Sequence, residues 1–196
     1  MINLLSPLAY RTLTWKNGGG STTEIAVDPE GAGWDAFNWR VAIADINKSG
    51  PFSQFPGVDR SIVLLDSARD SEMKLTIAGK AQRMQPRVFV DFPGEAETSG
   101  DLFGAPVRDF NIMSRRGVVR HRRGWHSLSP NALYRMGGSD RRIIYVVSGT
   151  ADLVTTAAAR SVGAGESLVA IGDDTLVVRG GPMGAQLVWV VFSVVA

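Results

Sequence analysis

The amino-acid sequence predicts an all-β protein, and three observations carry that prediction. The 196 residues include 22 glycines and 9 prolines, and between these turn formers lie short runs rich in Val, Ile, Leu and Phe rather than long segments of helical period. The runs recur roughly every ten residues, with Gly, Pro, Asp or Asn between them, which is the spacing of a sandwich, jelly roll or barrel. Within residues 39–46, Val41, Ile43 and Asp45 alternate with Ala42, Ala44 and Ile46, the period of a strand.

In chain order the expected strands are residues 39–46, 62–65, 73–77, 88–92, 143–147, 153–156, 167–171, 175–178 and 187–195. The two halves echo one another. Ile62 to Asp70 reads against Ile144 to Asp152, and residues 87–92 and 167–173 each follow as a later apolar run with an acidic neighbour. A period of about 80 residues suggests two copies of one β unit. Residues 94–110, rich in Gly, Asp and Glu, read as the connection between the copies.

Composition excludes several classes. The chain is 44% apolar and 20% charged, with a formal charge of +2 and no cysteine. Disulfides, thiolate metal sites and cysteine nucleophiles are therefore ruled out. The apolar stretch 187–196 is too short for a membrane helix, and the first residues lack the basic region of a secretory signal. A cytoplasmic protein with no membrane partner is expected. Charge is uneven: residues 24–101 hold 13 of the 19 acidic residues, whereas residues 108–142 hold nine arginines against Asp109 and Asp140. The low net charge and the lack of any recognition helix or nucleic-acid motif argue against nucleic acid as the partner of that basic segment.

Four motifs carry chemistry. In the first, Gly18, Gly19 and Gly20 lie between Trp15-Lys16-Asn17 and Thr22-Thr23-Glu24, so backbone is held where side chains do not fit, in a turn or against a ligand. The second is Trp39 and Arg40 opening a strand. In the third, residues 50–57 enclose Phe52 and Phe55 between two Gly and two Pro, and Asp59-Arg60 follows at the entrance to an apolar strand. Arg60 either pairs with a neighbouring acid or turns its planar donor fork into a cavity to grip a carboxylate. The fourth runs from Asp109 through Asn111 and Met113 to Arg115 and Arg116, polar groups beside apolar ones as a pocket rim requires. The two histidines, His121 and His126, are five residues apart, a spacing that suits neither a strand face nor a helix face for a shared metal.

Taken together these motifs resemble the HutD/Ves family of bacterial proteins, in family order across residues 15–116. The resemblance implies a bicupin, two RmlC-like jelly-roll (double-stranded β-helix) barrels in one chain, expected as 1–105 and 106–196 with strands exchanged between the halves. The His-x-His metal motif of metal-dependent cupins occurs in neither half, so no metal is expected, and on the binding-protein reading no cofactor or catalytic residue is assigned. In its histidine-utilisation branch the family implies a binding protein for a small anionic metabolite of the N-formylglutamate or urocanate type that modulates histidine or other amino-acid catabolism; the Ves branch is linked to stress and cold response, and the residues leave the branch open. The ligand-binding residues would be Arg60, Asn17, Gly18, Gly19, Gly20, Arg40, Asn111, Arg115 and Arg116, with backbone N–H groups of the glycines as donors. Glu24, Asp59 and Asp109 would orient the cations. A homodimer and a regulatory protein are the expected macromolecular partners. Two alternatives stay open: a metal-free cupin isomerase, epimerase or hydrolase, and an interaction module built on the arginines of residues 108–142.

Overall fold

The computed structural model describes residues 1–65, 71–138, 140–154, 160–172 and 174–195. Among these the strands are β1 (Ile2–Leu5), β2 (Arg11–Thr14), β3 (Gly20–Asp28), β4 (Trp39–Ile46), β5 (Gly50–Pro51), β6 (Val58–Leu64), β7 (Ser71–Ile77), β8 (Lys80–Arg83) and β9 (Val90–Pro93). They continue with β10 (Thr98–Gly104), β11 (Val107–Arg115), β12 (Val119–Leu128), β13 (Leu133–Met136), β14 (Arg141–Leu153), β15 (Arg160–Gly163), β16 (Ser167–Ala170) and β17 (Leu176–Val194). One 3-10 turn, Pro7–Ala9, interrupts them. No helix among the described residues is long and apolar enough to cross a membrane.

The chain folds as two compact units, Tyr10–Arg120 and Met1–Ala9 with His121–Ala196. In the first, a six-stranded sheet in the order β2-β3-β4-β11-β6-β9 and a four-stranded sheet in the order β5-β10-β7-β8 share one core. Ala44, Ile46, Ile62 and Leu64 contribute from the larger sheet, and Met73 and Leu75 from the smaller. The two central strands of the larger sheet, β4 and β11, are buried along nearly their whole length. β4 therefore reads as an apolar run from Val41 to Ala44, whereas β11 carries Asp109, Asn111 and Ser114 at buried positions.

The second unit is a sheet in the order β1-β16-β14-β17-β12, with β13 added to β17 and β15 to β14. Its core centres on Ile144, Val146, Leu168, Val178 and Leu187. The two expected strands 175–178 and 187–195 are one continuous strand, β17. Two register shifts against β14, at Val146/Ser148 and Gly149/Ala151, bend this pair. Gly149 has φ +76°, and a Cβ there would collide with the Gly184 carbonyl oxygen, so only glycine fits the bend.

The expected connection 94–110 is instead β10 and the first part of β11. β11 is hydrogen-bonded on both sides, to β4 and to β6. The units consequently divide at 120/121 rather than 105/106, and β1 joins the C-terminal unit by pairing with β16. Of the other expected features, Thr155 and Thr156 of one strand, and residues 66–70 and Asp173 of the internal echo, lie outside the described residues.

Candidate functional site

The site is built on the core-facing side of the six-stranded sheet. Strand pairing places Arg40, Met113 and Arg60 on one rung, Ala42, Asn111 and Ile62 on the next, and Ala44, Asp109 and Leu64 on the third. Because side chains alternate along a strand, Asp109, Asn111 and Met113 all turn to the same face. There they line a cavity of about 640 Å³ with Arg40, Arg60, Trp15, Asn17, Trp34, Phe52 and Phe55.

Two guanidinium groups dominate its chemistry. Arg60 is 4% exposed. Its Nη1 donates to the Ser53 carbonyl at 3.2 Å, and its guanidinium lies 4.9 Å from the Phe92 ring and about as close to Phe52 and Phe55. Its Nε has no hydrogen-bond partner among the described residues. Burial lowers its pKa to about 10, and the neighbouring Asp109 charge limits that fall. Arg40 donates to Glu24 Oε2 at 2.7 Å and to the Ala32 carbonyl at 2.9 Å, and stacks 3.9 Å above Trp34. Burial pulls its pKa below the usual arginine range against the opposing effect of Glu24. Its Nε is also without a partner.

The acceptors are equally incomplete. Both carboxylate oxygens of the fully buried Asp109, and Oδ1 of Asn111, lack a hydrogen-bond partner among the described residues. Burial pushes the Asp109 pKa up to about 7, with Arg60 opposing and Asp45 reinforcing the rise. Unpaired buried donors and acceptors around one cavity are costly unless water or a ligand completes them.

The other expected site residues are placed as follows. Asn17 stands at the cavity, but its Oδ1 accepts the Gly19 N–H at 2.9 Å. The Gly18 N–H donates to the Trp15 carbonyl, and the Gly19 and Gly20 carbonyls accept N–H groups of Asn47, Lys48 and Trp15. The glycines therefore form a turn that holds Trp15 and Asn17 at the cavity; the Gly18 and Gly19 N–H groups are bonded within it, and none of the three glycines lines the cavity. Gly20 is required because a Cβ would collide with the Asp45 carbonyl oxygen. Trp15 is fixed by its Nε1–H donating to Thr22 Oγ1 at 2.8 Å.

Arg115 and Arg116 lie away from the cavity. At the end of β11 Arg115 donates to the Phe37 and Asp35 carbonyls, both at 2.9 Å. Arg116, one residue past that strand, forms surface ion pairs with Asp59 at 2.8 Å and Glu95 at 2.9 Å, which raise its pKa. Asp59 thus holds Arg116 rather than Arg60, as its place beside Arg60 on β6 dictates. Glu24 does hold Arg40. Trp34, which sequence reasoning missed, sits in a loop whose only signal is a lone Trp between Gly33 and Asp35. In the other unit the His126 ring stacks on Tyr134 at 4.3 Å and His121 meets Phe192 edge-on at 6.2 Å. No three His, Cys, Asp or Glu side chains converge as a metal-binding group among the described residues.

The Asp109 environment makes a prediction about stability. Its folded pKa, about 7, lies above the unfolded value of about 3.9. Its contribution to stability is therefore complete below about pH 4 and lost as the pH rises toward about 7, with no further change above. The melting temperature of the parent relative to Asp109→Asn should fall across that window and then level. Scanning calorimetry of both proteins from pH 4 to 9 tests this, and a constant difference would show that the carboxyl is hydrated.

A family model described as HutD matches residues 8–187. An uncharacterized 21.2 kDa protein in the hutC 3' region of Pseudomonas putida is 40% identical over 125 residues, 63% of this chain; the matched region spans 64% of that relative's length. Protein Ves of Cronobacter sakazakii is 32% identical over 142 residues, covering 69% of this chain and 70% of that protein. The solved structure of HutD from Pseudomonas fluorescens superposes with a TM-score of 0.84 at 26% identity, covering both chains completely. A cupin 2 conserved barrel domain protein from Leptotrichia buccalis, 9% identical, superposes with a TM-score of 0.62 over 93% of this chain and 96% of that one, a likeness of fold.

Proposed function

The chain belongs to the HutD family, and from that premise we propose that it is a non-catalytic, cytoplasmic binding protein for a small anionic metabolite of the N-formylglutamate or urocanate type. The observation that carries the reading is Arg60, a residue 4% exposed on the wall of a 640 Å³ cavity with its Nε unpartnered among the described residues. Arg40, with a second unpartnered Nε, faces the same space. A dicarboxylate bearing an amide supplies acceptors for the two arginines and a donor for Asn111 Oδ1, and the aromatic rings exclude water around the pairs. The two units correspond, on this reading, to the two barrels of a bicupin. Ligand occupancy would be read by a regulatory protein partner acting on histidine catabolism, in line with the name of the P. putida relative, which places it in the hutC 3' region.

The test is a thermal-shift series with N-formylglutamate, glutamate, urocanate, histidine, formate and neutral sugars, each with and without EDTA. A ligand at about 100 times its Kd adds about 2.7 kcal/mol, a rise of several degrees for a chain of this length. A selective rise with one acid, insensitive to EDTA, supports the reading; no shift with any acid overturns it. A second reading, a metal-free acid-base enzyme, draws on Asp109, whose pKa of about 7 suits proton transfer. Recovery of the acid chemically unchanged after long incubation separates binding from turnover.

A further inference from the structure

The charges around the cavity do not balance in both of its states. Arg40 is already neutralised by Glu24 at 2.7 Å. That leaves Arg60, on β6, facing Asp109, on β11. Asp45, on β4, adds negative charge near Asp109, although it is itself held by Arg108 at 3.1 Å. Lys16, at the cavity wall, is exposed. Without a bound acid and above about pH 7, an ionised Asp109 is the counter-ion of Arg60. When a carboxylate enters beside Arg60, two anions would share one buried cation, and like charges in a water-poor space do not both stay ionised.

We propose that Asp109 contacts the ligand directly, taking up one proton when a carboxylate replaces it as the partner of Arg60, so that its O–H donates to the incoming acid. This rests on the anion-binding reading above and gives Asp109 a different part from that of an orienting group. The geometry supports the exchange: both Asp109 oxygens are fully buried, on the cavity wall, and without a hydrogen-bond partner among the described residues. A carboxyl committed to holding Arg60 in place would show a direct bond to it. An O–H of Asp109 with one lone-pair oxygen of the ligand makes a short carboxyl-carboxylate bond, and the Arg60 Nε–H serves another acceptor of the same acid. The consequence for selectivity is plain: the site favours ligands whose acid group can accept from Asp109 and Arg60 together, and it disfavours neutral analogues.

The pKa of Asp109 in the empty cavity, about 7, sets the window. Below it the carboxyl already carries its proton, so binding takes up almost none. Above it binding takes up close to one proton, and affinity falls about tenfold per pH unit. The experiment is titration calorimetry of the full chain with N-formyl-L-glutamate and with glutarate from pH 6.5 to 8.5. Each titration is run in Hepes and in Tris, whose different ionisation heats report proton uptake. The expected result is uptake rising toward one proton per ligand at pH 8.5, a Kd that rises with pH, and loss of both effects in Asp109→Asn. Binding without proton uptake at any pH, or an unchanged pH dependence in Asp109→Asn, overturns the proposal and leaves the binding reading standing. No binding of either acid at pH 6.5, where the carboxyl is protonated, overturns both. The buffer comparison on the unaltered chain decides the question even where the variant does not fold.

Discussion

Replacing Arg60 by alanine is expected to weaken binding of the anionic ligand by about 2–5 kcal/mol, roughly thirty-fold to several thousand-fold. The size follows from where the group lies. The residue is 4% exposed, its guanidinium is walled by Phe52, Phe55 and Phe92, and its Nη1 donates to the Ser53 carbonyl. A carboxylate brought into that space without the cation loses its hydration and gains no compensating pair. The fold should survive, because Asp109, deprived of its counter-ion, is pushed to its neutral form and no buried charge remains alone. Arg60→Lys keeps the charge but not the fork, and is expected to fall between alanine and the parent. Arg116→Ala is the control: that side chain is half-exposed and paired with Asp59 and Glu95 at the surface, where ion pairs contribute little. Calorimetry of the three variants checks the order. A loss of only a few tenths of a kcal/mol in Arg60→Ala would make Arg60 a structural residue.

Much of this arrangement was readable from the sequence, and what was not has physical causes. Strand β4 was legible from end to end because its buried faces leave a run of small and branched apolar residues. The cluster of Arg60, Asp109 and Asn111 could be singled out as polar chemistry set among apolar strands. β11 was not legible as a strand, since Asp109 and Asn111 occupy the positions where an alternating pattern would show apolar residues, and they do so because those positions face the cavity. The same substitution of polar for apolar marks the site and hides the strand. Glycine could be read two ways. The run Gly18 to Gly20 read as a turn or as backbone against a ligand; it forms a turn, and Gly20 lets β3 pass close to the Asp45 backbone. Gly180, Gly181 and Gly184 looked like a break between strands, yet they bend one strand that continues through them. Charge partners were the least legible. Neighbours in sequence, such as Asp59 and Arg60, point to opposite faces of a strand, whereas Asp59 and Arg116 meet through strand pairing that no local spacing reveals.

The cationic segment of residues 108–142 ends in a residue whose removal should have the largest effect on stability. Arg142→Ala is expected to destabilise its unit by roughly 3–5 kcal/mol. Arg142 is 0% exposed, and backbone carbonyls meet its fork: Nε donates to the Asp140 carbonyl at 3.2 Å, Nη1 to the Met136 carbonyl at 3.1 Å, and Nη2 to the Gly172 carbonyl. One planar fork thus ties the end of β13, the approach to β14 and the segment after β16. Alanine leaves these carbonyls without their donor and opens a void the length of the arginine stem. Arg142→Met fills much of the void but supplies no donor, so it should recover only the packing part of the loss. Because the residue belongs to the unit formed by Met1–Ala9 and His121–Ala196, a calorimetric trace that resolves two transitions should show one moved down by roughly 12–40 degrees and the other unmoved. Equal stability of the alanine and parent proteins would mean that water reaches those carbonyls, and that the buried guanidinium is replaceable.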